Sequence, residues 1–269
     1  MSVNRFVLLC VGVAAVGGCK NDEISTTTPP VTAAVRYINS VADTGSVDIA
    51  MIDQVEWSAN AKPLAFRAAS AYQPAEAKAR HIRVFPTSLN IAVTSQILLD
   101  TTVTLTAGSR VTLLLTGSAR SKTVRFVSID DDVTPPAASL IGVRAVNAST
   151  SPVNVYLTTD TADALPATAT FANITSLGAS SYVSRTVGKV ASQATDVPPV
   201  VATAKAVGPN APPSAPGDVF PAAGVNSQYT KFSVYYFPRG VAGSPQNAVT
   251  KPALIWFVDR NPCDPGVTC

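Results

Sequence analysis

Charge is scarce in this chain. Only 14% of its 269 residues are Asp, Glu, Lys or Arg, against about 25% in an average soluble domain. The formal net charge of +3 is too small to build the field that draws nucleic acid or another polyanion, so no nucleic-acid partner is expected. Histidine occurs once, at His81, which excludes a His-built metal centre, since a structural site needs about four N or S ligands. There is no Gly-rich phosphate loop and no Gly-x-Ser-x-Gly turn, so no nucleotide or other cofactor is expected. Long apolar runs are missing too. The two longest, Phe6 to Val16 and Ala253 to Val258, fall short of the ~20 residues of a helical membrane span.

What replaces charge is hydroxyl. Thr and Ser alternate with Val, Ile and Leu over most of the chain, and 46% of residues are hydrophobic, enough for a core. Such residues suit pleated, half-buried surfaces.

The first residues are organised differently. Arg5 ends a short basic start, the eleven residues Phe6 to Val16 (FVLLCVGVAAV) are continuously apolar, and Val16-Gly17-Gly18-Cys19 follows. This is the length of a signal-peptide core. The last four residues resemble a bacterial lipobox, which implies cleavage before Cys19 and acylation of Cys19, several chains giving a stable anchor. Residues 1–18 are thus read as signal and 19–32 as a polar, Pro-ended tether. The absence of Asp directly after Cys19 resembles outer-membrane cargo, with the body facing the periplasm or the outside. Export permits a disulfide, and Pro265-Gly266 supplies a turn that would join Cys263 to Cys269 in the tail 261–269.

An internal repeat organises the rest. Val35-Arg36-Tyr37-Ile38-Asn39-Ser40 is echoed by Val143-Arg144-Ala145-Val146-Asn147-Ala148, Ser46-Val47-Asp48-Ile49 by Pro152-Val153-Asn154-Val155, and Ala69-Ser70-Ala71-Tyr72 by Ala179-Ser180-Ser181-Tyr182. The three matches are collinear, so two repeats are expected, at 33–132 and 138–260. A stiff linker at 133–137 would fix them end to end, and a Pro-rich insertion occupies 208–224. About seven short strands in the first repeat predict an all-β protein of two tandem immunoglobulin-like β-sandwiches. Each half is expected to fold alone. The core of the first is read as Val35, Tyr37, Val47, Ile49, Ile82, Val84, Val111, Leu113, Val124 and Phe126. By the same alternation Thr112 faces solvent. The one helical candidate, Pro74 to Arg80, is too short to stand alone.

These residues resemble the domain-of-unknown-function 4397 family of bacterial surface proteins and lipoproteins. The resemblance rests on Val35-Arg36, Val47-Asp48-Ile49, Leu64-Ala65-Phe66, Ser70-Ala71-Tyr72, the hairpin Thr102 to Gly108 and the strand end Thr116-Gly117. It is close over Ala33 to Asp132 and loose over Gly142 to Asp259. Arg67 stands where the family pattern has Gly, and an aromatic residue near Val111 is missing. The resemblance implies a fold and an envelope location, and no catalytic residue.

Candidate chemistry is thin. His81 alternates with Ile82 and Val84 and is flanked by Arg80 and Arg83, which leaves it solvent-facing with no carboxylate to orient it. Asp130-Asp131-Asp132 reads as a solvated strand end rather than a Ca²⁺ loop. Asp48 and Asn154 share one repeat position, which suggests a common turn or edge hydrogen bond. Aromatics gather in the second repeat. Most read as core, and Tyr235 and Phe237 are the ones that would face a ligand if exposed. The chain is therefore expected to be a lipid-anchored structural or binding module for an envelope protein or glycan, with no catalytic, metal or cofactor residues. A carboxylate-based envelope hydrolase and a carbohydrate-binding accessory protein are the alternatives. Replacing Cys19→Ser should move the protein from the membrane pellet to the soluble fraction. A membrane-bound variant of wild-type mobility would overturn the lipobox assignment.

Overall fold

Period-two alternation over Thr, Val, Ile and Leu becomes strand throughout. The computed structural model describes residues 29–198, 202–208 and 228–262. The signal segment, Cys19, most of the Pro-rich insertion, Cys263 and Cys269 lie outside the described residues.

The first repeat has eight strands: β1 (Thr32–Asn39), β2 (Val47–Met51), β3 (Ala61–Leu64), β4 (Gln73–Glu76), β5 (Ala79–Pro86), β6 (Leu99–Thr104), β7 (Arg110–Thr116) and β8 (Arg125–Asp130). They form two four-stranded sheets of order β4-β1-β7-β8 and β3-β2-β5-β6. The second repeat carries β9 (Leu140–Asn147), β10 (Val153–Thr158), β11 (Phe171–Ile174), β12 (Val183–Thr186), β13 (Ala191–Asp196), β14 (Ala202–Val207), β15 (Lys231–Phe237) and β16 (Ala253–Arg260). Its sheets, β12-β9-β15-β16 and β11-β10-β13-β14, repeat the first order strand for strand. In each repeat the first strand runs parallel to the seventh, Val35 opposite Val111 and Val143 opposite Phe232. The all-β, two-sandwich reading holds. Each sandwich has one strand more than a seven-stranded immunoglobulin constant domain, and its first strand lies beside the seventh rather than the second.

Several local readings change. Pro74 to Arg80 is not helical: Gln73–Glu76 is an edge strand against β1, a position where Pro is tolerated because no further strand needs its N–H. The single helical turn among the described residues, α1 (Ile91–Thr94), lies elsewhere and is capped by the Asn90 side chain accepting from Ala92 N. Strands β11, β12 and β13 follow no apolar alternation that would announce them. Their Ala, Ser, Thr and Asn residues are held by pairing with β10 and β9.

Each sandwich encloses its own core. All ten residues expected for the first are there, nine buried and Phe126 packed partly buried against them. The second is built from Ile141, Val143, Val155, Phe232, Val234 and Trp256 among others. A third cluster belongs to neither: Ile38, Leu114 and Ile129 from the first repeat meet Val146, Tyr235 and Phe237 from the second. The sandwiches are therefore stacked through the outer faces of the β1 and β9 sheets rather than set end to end. The linker is short, but the neighbouring strands are apolar on both sides, and a face of that kind cannot be left in water.

This stacking reverses the expectation for Thr112, which is fully buried. Leu113→Asp should unfold the first sandwich by placing an unpaired charge in its core. Thr112→Asp should also unfold the chain, by setting a second carboxylate beside Asp131. Circular dichroism melts of the two variants check this, and a native-like melt for Thr112→Asp would contradict the stacked arrangement.

Candidate functional site

The face between the sandwiches is apolar at its centre and charged along one side, and the charges come from repeat-equivalent positions. Arg36 on β1 and Arg144 on β9 each leave an otherwise apolar strand on its outer face, and both are buried. Arg36 reaches across to the second repeat. Its Nη2 donates to Asp259 Oδ1 at 2.7 Å, its Nη1 to the Val258 carbonyl at 2.9 Å, and its Nε to Thr112 Oγ1 at 3.0 Å. Arg144 reaches the other way. Its Nη2 donates to Asp131 Oδ1, its Nη1 to the Asp130 carbonyl at 2.8 Å, and its Nε to Ser233 Oγ at 2.7 Å.

Each aspartate is held within its own repeat. Asp131 accepts from Thr112 Oγ1 at 2.6 Å and Tyr72 Oη at 2.7 Å. Asp259 accepts from Ser233 Oγ at 2.5 Å and Tyr182 Oη at 2.8 Å. The tyrosine rings serve twice. Arg36 lies 4.5 Å from the Tyr72 centroid and Arg144 4.7 Å from that of Tyr182, a cation–π geometry. Burial pushes both phenols far above their usual range, so they remain neutral donors. Burial also pushes the Asp131 carboxyl up, with the nearby Asp259 adding to it and the two guanidiniums opposing it. Outside this ring, Arg110 donates to the Asp259 carbonyl at 2.7 Å and Lys231 to Asp132 Oδ2 at 2.5 Å, again from equivalent strand starts.

At one end of the shared face the sandwiches part to leave a cleft of about 770 Å³. Equivalent segments of both repeats line it, Ser40 and Thr116 to Ser118 from the first, Ala148 to Thr150 and Pro238 to Ala242 from the second. Gly117 is required here. Its φ is +102°, and an added Cβ would lie 2.2 Å from the Thr123 carbonyl oxygen. The loop after β15 is pinned to the first repeat by Arg120, which donates to the Ala242 and Gly243 carbonyls. Arg67 reinforces it through the carbonyls of Pro238 and of Lys251, the latter at 2.6 Å. Arg67 has φ +65°, a left-handed conformation in which Gly is at ease. Where the pattern it resembles has Gly, this chain carries a guanidinium that grips the other sandwich.

Of the residues singled out in the sequence, Tyr235 and Phe237 are not ligand-facing: both are fully buried in the shared face, stacked with ring centroids 5.9 Å apart. What they meet instead of a ligand is Leu114 and its neighbours in the other repeat. Asp131, read as solvated, is buried in the charge network, whereas Asp130 is exposed. His81 does have a carboxylate: β6 brings Asp100 to both His81 Nε2 and Arg83 Nε, an exposed surface cluster with no nucleophile in it. Asp48 accepts from Thr87 Oγ1 and Asn154 from Asn173 N, so the shared repeat position holds loop and edge contacts. Cys19, Cys263 and Cys269 lie outside the described residues. Among the described residues no group of three His, Cys, Asp or Glu is placed to hold a metal ion.

What the sequence reading missed is Arg36 and Arg144. The signal was present as an arginine in the middle of a repeated apolar strand, where a charge persists only if something meets it. Arg144→Met should destabilise the protein by about 3–5 kcal/mol, because it takes from Asp131 its hydrogen-bonded cation and leaves only Arg36 at 3.9 Å. Arg144→Met combined with Asp131→Asn should cost less than the two single changes together, by a coupling of about 0.5–3 kcal/mol. Urea denaturation of the three variants measures this, and strict additivity would mean that the pair does not interact.

No curated protein matches the chain. Two solved structures of streptococcal proteins are similar to it. One is described as alpha-glucan recognition by family 41 carbohydrate-binding modules from streptococcal virulence factors, at 8% identity, the other as alpha-glucan binding by a streptococcal virulence factor, at 11%. Each covers 76% of this chain and 92% of the other, with a TM-score of 0.24. Residues 33–158 match the model of a domain of unknown function, DUF4397, so the family resemblance carried by Val35-Arg36, Val47-Asp48-Ile49 and Ser70-Ala71-Tyr72 holds across the first sandwich and the opening strands of the second.

Proposed function

We propose that the protein is an exported, lipid-anchored binding module of the cell envelope, without catalytic activity, in which two sandwiches act as one rigid body and the cleft between them receives the ligand or partner. The carrying observation is that cleft, held open by walls that cannot move independently. The crossed Arg36–Asp259 and Arg144–Asp131 pairs fix the sandwiches at one side, and Arg67 and Arg120 fix the loop that forms the far wall. A pre-formed concavity loses little entropy on binding. Its volume lies in the range of about 300–1,000 Å³ typical of ligand sites.

The lining supports binding over turnover. Among the described residues it contains hydroxyls, an amide, two arginines, backbone and small apolar side chains, with no Asp, Glu, His or Cys. A glycosidase would need two carboxylates about 5–9.5 Å apart facing one space. The envelope location follows from Val16 to Cys19 in the sequence and from the tether that separates Cys19 from the first strand.

The Cys19→Ser protein, displayed against a glycan and envelope-protein array, should retain a ligand saturably. Thr150→Trp, at an exposed position of the lining, should lose that ligand with an unchanged melting temperature. Equal retention by Thr150→Trp would move the site out of the cleft, and release of a cleaved glycan would make the protein an enzyme.

A further inference from the structure

The cleft is one-sided in charge. Two cations line it, Arg125 at the start of β8 and Arg239 in the loop after β15, and among the described residues no acid does. Both are exposed. Neither has a hydrogen-bond or ion-pair partner among the described residues. Arg36, Arg67, Arg80, Arg83, Arg120, Arg144 and Arg185, by contrast, each donate to a carboxylate, a hydroxyl or a carbonyl. The two unengaged arginines come from different sandwiches and line one cleft only because the shared face is closed. Asp43, next in the chain to the lining residue Ala42, is taken up by the loop after β7, where it accepts from Ser118 Oγ at 2.6 Å, Ala119 N at 2.9 Å and Arg120 N at 3.1 Å. Burial pushes Asp43 up, but these donors outweigh it and hold the carboxyl below its usual range.

Between the arginines the wall is made of Thr123, Ser149, Thr150, Asn247 and Thr250. These are groups that exchange hydrogen bonds with hydroxyls. Among the described residues no aromatic ring lines the cleft to give the stacking platform that holds a neutral sugar ring. A guanidinium pair, by contrast, binds a carboxylate, sulfate or phosphate through paired, charge-assisted hydrogen bonds.

We infer that the cleft binds a hydroxyl-rich anion, a short saccharide carrying carboxylate, sulfate or phosphate, with Arg125 and Arg239 taking the charged group and the Ser, Thr and Asn side chains the hydroxyls. The assignment rests on the binding role proposed above and names its ligand class. Neutral saccharides of the same length lack the group that the two arginines select.

Isothermal titration of the Cys19→Ser protein at low ionic strength tests this with trigalacturonate, a chondroitin sulfate tetrasaccharide and mannose 6-phosphate, each against its neutral counterpart. At least one anionic probe should bind, about tenfold or more tighter than its neutral partner, as charge-assisted hydrogen bonds allow. Its affinity should fall with added salt. Arg125→Gln with Arg239→Gln, both exposed and unpaired, should lower that affinity about tenfold or more at an unchanged melting temperature. Preference for the neutral probes, or binding indifferent to the double substitution, overturns the anion assignment and leaves the binding role standing. Silence from every saccharide while the array yields a protein partner overturns it likewise. Silence in both experiments overturns both.

Discussion

The structure turns on two crossed ion pairs. Arg36 finds its hydrogen-bonded carboxylate in the second sandwich and Arg144 finds its own in the first, while the aspartate of the same repeat stands farther off, at 3.9 Å from each. A buried charge costs several kcal/mol in lost hydration, recovered only when every donor and acceptor around it is met. The paired groups themselves are met: each aspartate collects a guanidinium, a hydroxyl and a phenol, and each guanidinium also takes a carbonyl. The apolar cluster of Ile38, Leu114, Val146, Tyr235 and Phe237 supplies the attraction between the sheets. The charged ring supplies the register. Sliding one sheet along the other would cost the apolar faces little, but it would separate every pair at once.

The two enclosed cores were readable from the sequence because alternation is a local property. Val111, Leu113 and Leu115 point to one side whatever the rest of the chain does. The shared face is harder to read because it is a relation between distant segments, and alternation alone does not say whether the opposite side of a strand is wet or covered. Leu114, Ile38 and Ile129 decide it. They make β1, β7 and β8 apolar on both sides, the mark of strands covered twice. Tyr235 and Phe237 drew attention as the outward aromatics of β15, which they are, but outward there means toward the other sandwich. The weak strands β11 to β13 could not be read because their placement comes from neighbours rather than from their own Ala, Ser and Asn side chains. Of the cleft, only its hydroxyl-rich character was visible beforehand. Arg125 and Arg239 stand 114 positions apart in the chain and acquire a common purpose only in three dimensions.

Rigidity and opening are produced by the same stacking. Two twisted sheets laid face to face cannot stay in contact along their whole length, and they part where the β1–β2 turn, the start of β8 and the loop after β15 meet. Arg67 and Arg120 then prevent the gap from closing by tying that loop to the first sandwich. The walls are carried by sheets rather than by free loops, which favours a site of fixed shape.

The exchange of partners between Arg36–Asp259 and Arg144–Asp131 has the form of an isologous dimer, in which residue i meets j and j meets i, written into one polypeptide. A linker of a few residues keeps the mates at high effective concentration, so association no longer depends on how much protein is present. It also lifts the obligation of identity. In a dimer of equal subunits every substitution appears twice, and a cleft on the axis must have matching walls. In the joined chain Thr112 has become the counterpart of Ser233, Leu114 of Tyr235 and Gly117 of Pro238, each altered alone. The opening at the end of the axis can therefore present one arginine from a strand and another from a loop, a lopsided arrangement that two identical subunits could not offer to a single ligand.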